Sequence, residues 1–219
     1  MIIYLKFKKG NFMIYTLYHV HDPMCSWCYA FKPTLDELRK NLDSNIKIQH
    51  VVGGLAKHSD EIMPKDMQEK IQSIWHDIEK TVGTKFNHNF WKDCLPRRST
   101  YLACQATMLA RGENKEDEMI EAIQKAYYLN AQNPSDASTL INLAKQIGMD
   151  GKKFEEDLKS EKIEDDLHNE LNLRRSLNVR AFPSLVLKYK KELYPINIKY
   201  NDYKSMLDQI NNMVENSYF

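Results

Sequence analysis

The chain has 219 residues, 42% hydrophobic and 28% charged, with a formal net charge of +1. That length supports one large domain or a domain carrying a substantial insertion. Lys and Arg are interspersed with Asp and Glu rather than massed, which argues against nucleic acid and anionic membrane partners. No apolar run reaches the ~18 residues of a membrane-spanning helix.

Residues 1–12 do not read as a secretory signal. Their apolar stretch, Ile2-Ile3-Tyr4-Leu5, is broken by Lys6, Lys8 and Lys9, well short of a ~7–15-residue hydrophobic region, and no small-residue cleavage site follows. They read as a disordered or mis-assigned leader, because Met13 opens the first strand pattern; the expected location is the cytoplasm. Four cysteines are too few for a disulfide framework. In a cytoplasmic chain, a close pair suggests catalysis or metal binding.

From Met13 to Val20 the sequence alternates and is rich in β-formers, which predicts a strand. Cys25-Ser26-Trp27-Cys28 comes next, and from Tyr29 to about Asn41 the residues Phe31, Leu35, Leu38 and Leu42 recur at helical spacing. The C-x-x-C therefore lies where a strand passes into the first turn of a helix. There, unpaired N–H groups and the positive end of the helix dipole favour thiolate over thiol. A thiolate is the nucleophile of disulfide exchange, and a second thiol one turn later can resolve the mixed disulfide.

Asn45–Val52 predicts a second strand, parallel to the first across a right-handed β-α-β crossover. Gly53-Gly54 marks a turn, with no phosphate-binding pattern around it. From about Met63 to Leu177 the period is helical throughout. Its stripes include Met67, Ile71, Ile74, Trp75, Ile78 and Val82, and a later one that opens at Ser135 or Asp136 and stops at Gly148. Core packing explains each stripe. Ser184–Tyr189 and Glu192–Ile196 then read as an antiparallel hairpin whose second strand, carrying Pro195, is an edge. A last helix begins at Asn201 or Asp202. The expected architecture is α/β: a mixed four-stranded sheet flanked by helices, formed by residues 13–62 and 178–219, with residues 63–177 as an all-helical insertion.

Asp22-Pro23-Met24-Cys25-Ser26-Trp27-Cys28-Tyr29-Ala30-Phe31, His50-Val51-Val52-Gly53-Gly54-Leu55, Pro96-Arg97-Arg98-Ser99-Thr100-Tyr101 and Val179-Arg180-Ala181-Phe182-Pro183-Ser184-Leu185 together resemble the DsbA-type thioredoxin fold. Within it the chain is similar to the FrnE-like cytoplasmic proteins regarded as protein-disulfide isomerases. The resemblance covers roughly Met13 to the C-terminus. It implies that Cys25 is the exposed nucleophile, that Cys28 resolves, and that Pro183 is held cis beside the dithiol, turning the preceding backbone toward substrate. Trp27, Phe182 and Pro183 are the expected substrate contacts. Ser26-Trp27 replaces the Gly-Pro of thioredoxin and the Pro-His of DsbA, which predicts a less oxidising pair than DsbA.

The implied activity is thiol-disulfide oxidoreduction on protein or small-molecule disulfides and thiols. It needs no cofactor beyond the dithiol, and glutathione is a candidate reductant. One rival is a kappa-class glutathione transferase or isomerase; those relatives carry serine at the nucleophile position, where this chain has Cys25. Another is a polypeptide-binding module with an incidental dithiol. Zinc is not expected: Cys94 and Cys104 have nine residues between them, and His19, His21 and His50 on or beside strands are not expected to converge. Cys104 reads as a buried apolar thiol and Cys94 as a loop thiol. Asp22 and His21 sit near enough to exchange protons with Cys28, but a turn role for Asp22-Pro23 accounts for them equally well.

Overall fold

The computed structural model describes residues 15–216; the expected leader and the first two residues of the expected first strand lie outside them. The chain order is β1 (Tyr15–His21), α1 (Ser26–Asn41), β2 (Ile46–Val52), α2 (Lys65–Val82), α3 (Phe90–Asp93), α4 (Tyr101–Arg111), α5 (Glu116–Tyr128), α6 (Ala137–Gln146), α7 (Gly151–Leu158), α8 (Glu161–Ser176), β3 (Ser184–Tyr189), β4 (Glu192–Ile196) and α9 (Tyr203–Asn216). The sheet order is β2-β1-β3-β4. β1 pairs parallel with β2 and antiparallel with β3, and β4 closes the hairpin as an edge.

β1 is central, and six of its seven residues are buried, which suits its aromatic and β-branched content. β4 carries Pro195, whose missing N–H is tolerated on an edge strand. The helix after the dithiol begins three residues earlier than the apolar spacing alone predicts. Cys25 takes the extended N-cap conformation and Ser26 is already helical. Apolar periodicity could not show this, because the first turn is specified by the cap and not by a buried stripe.

The β1–α1–β2 unit and the β3–β4–α9 unit meet in a core of Tyr15, Leu17, Phe31, Leu38, Leu187, Met206 and Ile210. Between them in sequence, α2 to α8 fold around a second core centred on Trp75. That indole has no exposed surface and meets the rings of Phe86, Phe90, Trp91, Tyr127 and Tyr128 at centroid distances from 4.8 to 6.1 Å. The helical region docks on the β2 edge through buried polar contacts. The Val52 N–H donates to Glu170 Oε2 at 3.0 Å, and Arg111 bridges Glu170, Glu116 and the His50 carbonyl. Arg174 donates to the Gly53 carbonyl at 2.6 Å. These bonds satisfy part of an edge that would otherwise present unpaired backbone groups.

Trp75→Ala removes the hub of the aromatic core, and urea unfolding should show a loss of about 3–5 kcal/mol. A loss below about 1 kcal/mol would contradict its central packing role.

Candidate active site

β1 ends at His21 and the chain turns through Asp22, Pro23 and Met24 into the cap of α1. Asp22 builds that turn. Its carbonyl accepts from the Cys25 N–H at 3.0 Å, and its Oδ1 accepts from the Met24 N–H at 2.9 Å. Its Oδ2 accepts from the Leu55 N–H and the Thr100 hydroxyl, both at 2.7 Å, and faces the Cys104 thiol at 3.5 Å. Burial pushes the Asp22 carboxyl up, while the donors from Leu55, Thr100 and Met24 oppose that shift. The turn reading of Asp22 is therefore the one its geometry bears out.

Cys25 and Cys28 lie one helical turn apart, and all four cysteines are free thiols. The Cys28 thiol, followed by the N–H groups of Cys28 and Trp27, holds the Cys25 thiol below its ordinary value against the opposing effect of burial. Cys28 moves the other way: burial, then the neighbouring Cys25, pushes it well up. The two sulfurs thus differ in the same environment, with thiolate favoured at Cys25 and disfavoured at Cys28.

The Phe182–Pro183 peptide is cis, as the resemblance implied, and the Phe182 carbonyl lies 3.7 Å from Cys25 Sγ. This accounts for one correction. Cys25 is not broadly exposed: 9% of its surface is open, because the Phe182 loop covers it. Its access is through a cleft of about 280 Å³. Trp27 is half-buried and rests against the Tyr200 ring at 5.2 Å, leaving one side on the cleft. Phe182 is half-buried and lines the cleft, whereas Pro183 is buried beneath it.

The opposite wall comes from the helical region. Ile71 and Ile74 supply apolar surface with Trp75 buried behind them, and Arg97 and Arg98 join Arg180 to make the cleft cationic. Arg97 is paired with Asp136; Arg98 and Arg180 are exposed. Sequence reading assigned the α2 stripe wholly to core. In fact Trp75 and Ile78 are core, while Ile71 and Ile74 are half-buried on the cleft side. Periodicity identifies the inward face of a helix but not which part of that face borders a cavity.

Gly53 is part of the same arrangement. A Cβ there would fall 2.4 Å from the Phe182 ring, so only glycine lets that ring close over the cleft. Gly54, at φ +61°, passes equally close to Leu171.

Cys104 is buried in α4 and Cys94 follows α3, donating to the Ala131 carbonyl at 2.9 Å. A second correction concerns the histidines. His19 and His21 are two apart on β1 and share a face, and the parallel register sets His50 opposite His19. The three imidazoles do converge, with ring centroids 4.9 to 5.3 Å apart. Strand positions taken one strand at a time do not show this convergence; the cross-strand register does. Burial, before any neighbouring charge, pulls His19 and His21 well below the ordinary histidine value.

The chain belongs to the DSBA-like thioredoxin domain family, which matches residues 16–199. A protein from Nitrosomonas europaea, provisionally named a disulfide isomerase, superposes with a TM-score of 0.80 at 20% identity, over 93% of this chain and 98% of its own. The cytosolic disulfide reductase DsbM of Pseudomonas aeruginosa gives 0.73 at 18% identity, over 91% and 98%, and has also been solved with GSH. At such identities the likeness establishes the fold. The ClpXP adapter protein SpxH of Halalkalibacterium halodurans is 26% identical over 186 residues, which are 82% of this chain and 59% of that protein. The chain thus spans little more than half the length of that relative. No helix among the described residues is long and apolar enough to cross a membrane.

Two outcomes test the site. In iodoacetamide alkylation followed by peptide mass, Cys25 should titrate below the ordinary thiol range of about 8.5. Cys28 should stay unmodified until well above it; equal profiles would contradict the asymmetry. Gly53→Ala should displace the Phe182 ring and slow disulfide turnover about tenfold or more, at roughly 1.4 kcal/mol per decade; unchanged turnover would show the ring is not constrained there.

Proposed function

We propose that the chain is a thiol-disulfide oxidoreductase whose reaction centre is Cys25 and Cys28, acting in the cytoplasm on protein or small-molecule disulfides. The observation that carries this reading is the position of Cys25. Its sulfur sits at the N-cap of α1 among donors that favour thiolate, 3.7 Å from the Phe182 carbonyl, at one side of a cleft.

In the reductive direction the Cys25 thiolate attacks one sulfur of the substrate disulfide. A Cys25–substrate disulfide forms and the other substrate sulfur leaves as a thiolate. Cys28 then loses its proton and attacks Cys25 Sγ, closing the Cys25–Cys28 disulfide and expelling the second substrate thiolate. Two electrons have passed to the substrate, and both leaving thiolates take up protons. Two equivalents of an external thiol restore the dithiol by the reverse exchanges, with their own sulfurs oxidised to a disulfide. Trp27 and Phe182 supply apolar contact surface, and the backbone before Pro183 supplies an extended edge for a peptide.

The cleft also supports glutathione as the reducing thiol. Its apolar floor beside Arg98 and Arg180 suits a small thiol bearing carboxylates. The Pseudomonas DsbM solved with GSH shares this fold. A transferase or isomerase reading accounts less well for Cys28, since conjugation needs no resolving thiol.

A second reading has its own support. Similarity to SpxH adapters favours a module that binds a polypeptide without redox turnover. The two readings separate on one pair of variants. Under the first, Cys25→Ser abolishes insulin-disulfide reduction, and Cys28→Ser accumulates a mixed disulfide at Cys25 visible by mass. Full activity in Cys25→Ser removes the oxidoreductase reading. Partner binding retained in a Cys25→Ala, Cys28→Ala protein that reduces no disulfide supports the adapter reading.

A further inference from the structure

We propose that His19, His21 and His50 form a divalent-metal site fitted to Zn²⁺, on the face of the sheet that packs against α1 and separate from the dithiol. One ring nitrogen from each histidine lies within 4.8 Å of the other two. A tetrahedral Zn²⁺ at ~2.0–2.1 Å from imidazole nitrogens holds them about 3.3 Å apart. His19 Nδ1 and His50 Nδ1 are 2.9 Å apart, a hydrogen bond whose proton an ion between the rings would replace.

The polar bookkeeping of the cluster points the same way. The three side chains are 5%, 1% and 8% exposed, yet His19 Nε2 and His21 Nε2 have no hydrogen-bond partner. Buried polar nitrogens ordinarily find one. Aromatic packing alone would be better served by Phe or Tyr on this face; histidine brings lone pairs, and here several converge.

The surroundings supply the rest of a metal site. Asp117 Oδ1 lies 3.1 Å from His50 Nε2, the carboxylate–histidine pairing that fixes a ligand's tautomer and orients its ring. Arg39 is the opposing feature, 2.7 Å from the same nitrogen. Its charge is matched by Asp117, which it also contacts at 2.6 Å. Arg111, the other nearby cation, is matched by Glu116 and Glu170. A cavity of about 640 Å³, bordered by His50, Asp117, Arg39 and Arg111, opens from solvent onto the outer histidine. Of the three histidines it is His50 that borders this cavity. The protein offers three ligands there, so the fourth position would be taken by water, as in open His₃ sites.

The other histidine–carboxylate group among the described residues, His76, Glu79 and His88, is a weaker candidate. It lies at the surface, and Glu79 already pairs with both rings.

The test uses the full chain with Cys25→Ser and Cys28→Ser, so that the dithiol does not compete for metal. Co²⁺ titration should give one equivalent bound, with visible d–d bands and no thiolate-to-cobalt charge transfer in the near ultraviolet. Zn²⁺ should displace the Co²⁺ and raise the Tm. His21→Asn should weaken binding about 100-fold or more, and Asp117→Asn about 10–100-fold. No bound Co²⁺ together with no Zn²⁺-dependent Tm shift would overturn the proposal. So would a charge-transfer band, which would place the ion on a remaining cysteine, or unchanged affinity in folded His21→Asn. The Tm measurement on the cysteine-substituted parent needs no histidine variant, so it stands even where His21→Asn fails to fold.

Discussion

A carboxylate with no exposed surface anchors the reactive end of this molecule. Asp22 takes donors from the turn before the dithiol, from the loop after β2, and from the start of α4. Those three stretches are distant in sequence, and they are the ones that must meet for Cys25 to border a cleft. Each such bond is worth on the order of 0.5–1.5 kcal/mol net, and removing the acceptor would strand several donors at once. The position of α1 relative to the helical region, and so the shape of the cleft, follows from satisfying this one side chain. Asp22 therefore belongs among the residues that define the shape of the site.

The asymmetry of the two thiols has a similarly local origin. Helix geometry leaves the first N–H groups of α1 without intrahelical acceptors, and Cys25, at the cap, is where they point. Cys28 is already inside the helix and 3% exposed, so burial dominates its behaviour. The contact between the two thiols, the donors at the helix start and the burial of Cys28 together separate the two sulfurs.

Much of this was legible in the sequence for physical reasons. The hairpin Ser184–Tyr189 and Glu192–Ile196 was readable residue by residue, because Lys190-Lys191 interrupts two runs of β-formers. Pro195 correctly marked its strand as the edge. Cys25 and Cys28 stood out as candidates because a close thiol pair at a strand-to-helix step is visible in one dimension, whereas the cis Phe182–Pro183 step came from the resemblance to the DsbA-type fold. Asp22's four donors, the convergence of His19, His21 and His50, and the cationic wall from Arg97, Arg98 and Arg180 were not. Each depends on segments brought together by tertiary packing or strand register, and no local period encodes them. The histidine cluster had one usable signal, the i, i+2 spacing on β1 opposite a histidine on the paired strand, which becomes decisive only once the parallel register is known.

The cleft lies on the seam between two stretches of chain. The sulfurs and the Phe182–Pro183 loop come from the sheet half, whereas Ile71, Ile74, Arg97 and Arg98 come from the helical stretch between β2 and β3. The reactive pair and part of the cleft wall are therefore encoded in separate stretches of the chain. Substitutions in the helical stretch can retune which thiols or disulfides are admitted while leaving the electron-transfer chemistry intact. Such an arrangement lets one redox centre diversify into many specificities by drift in a region that never touches the bond being exchanged.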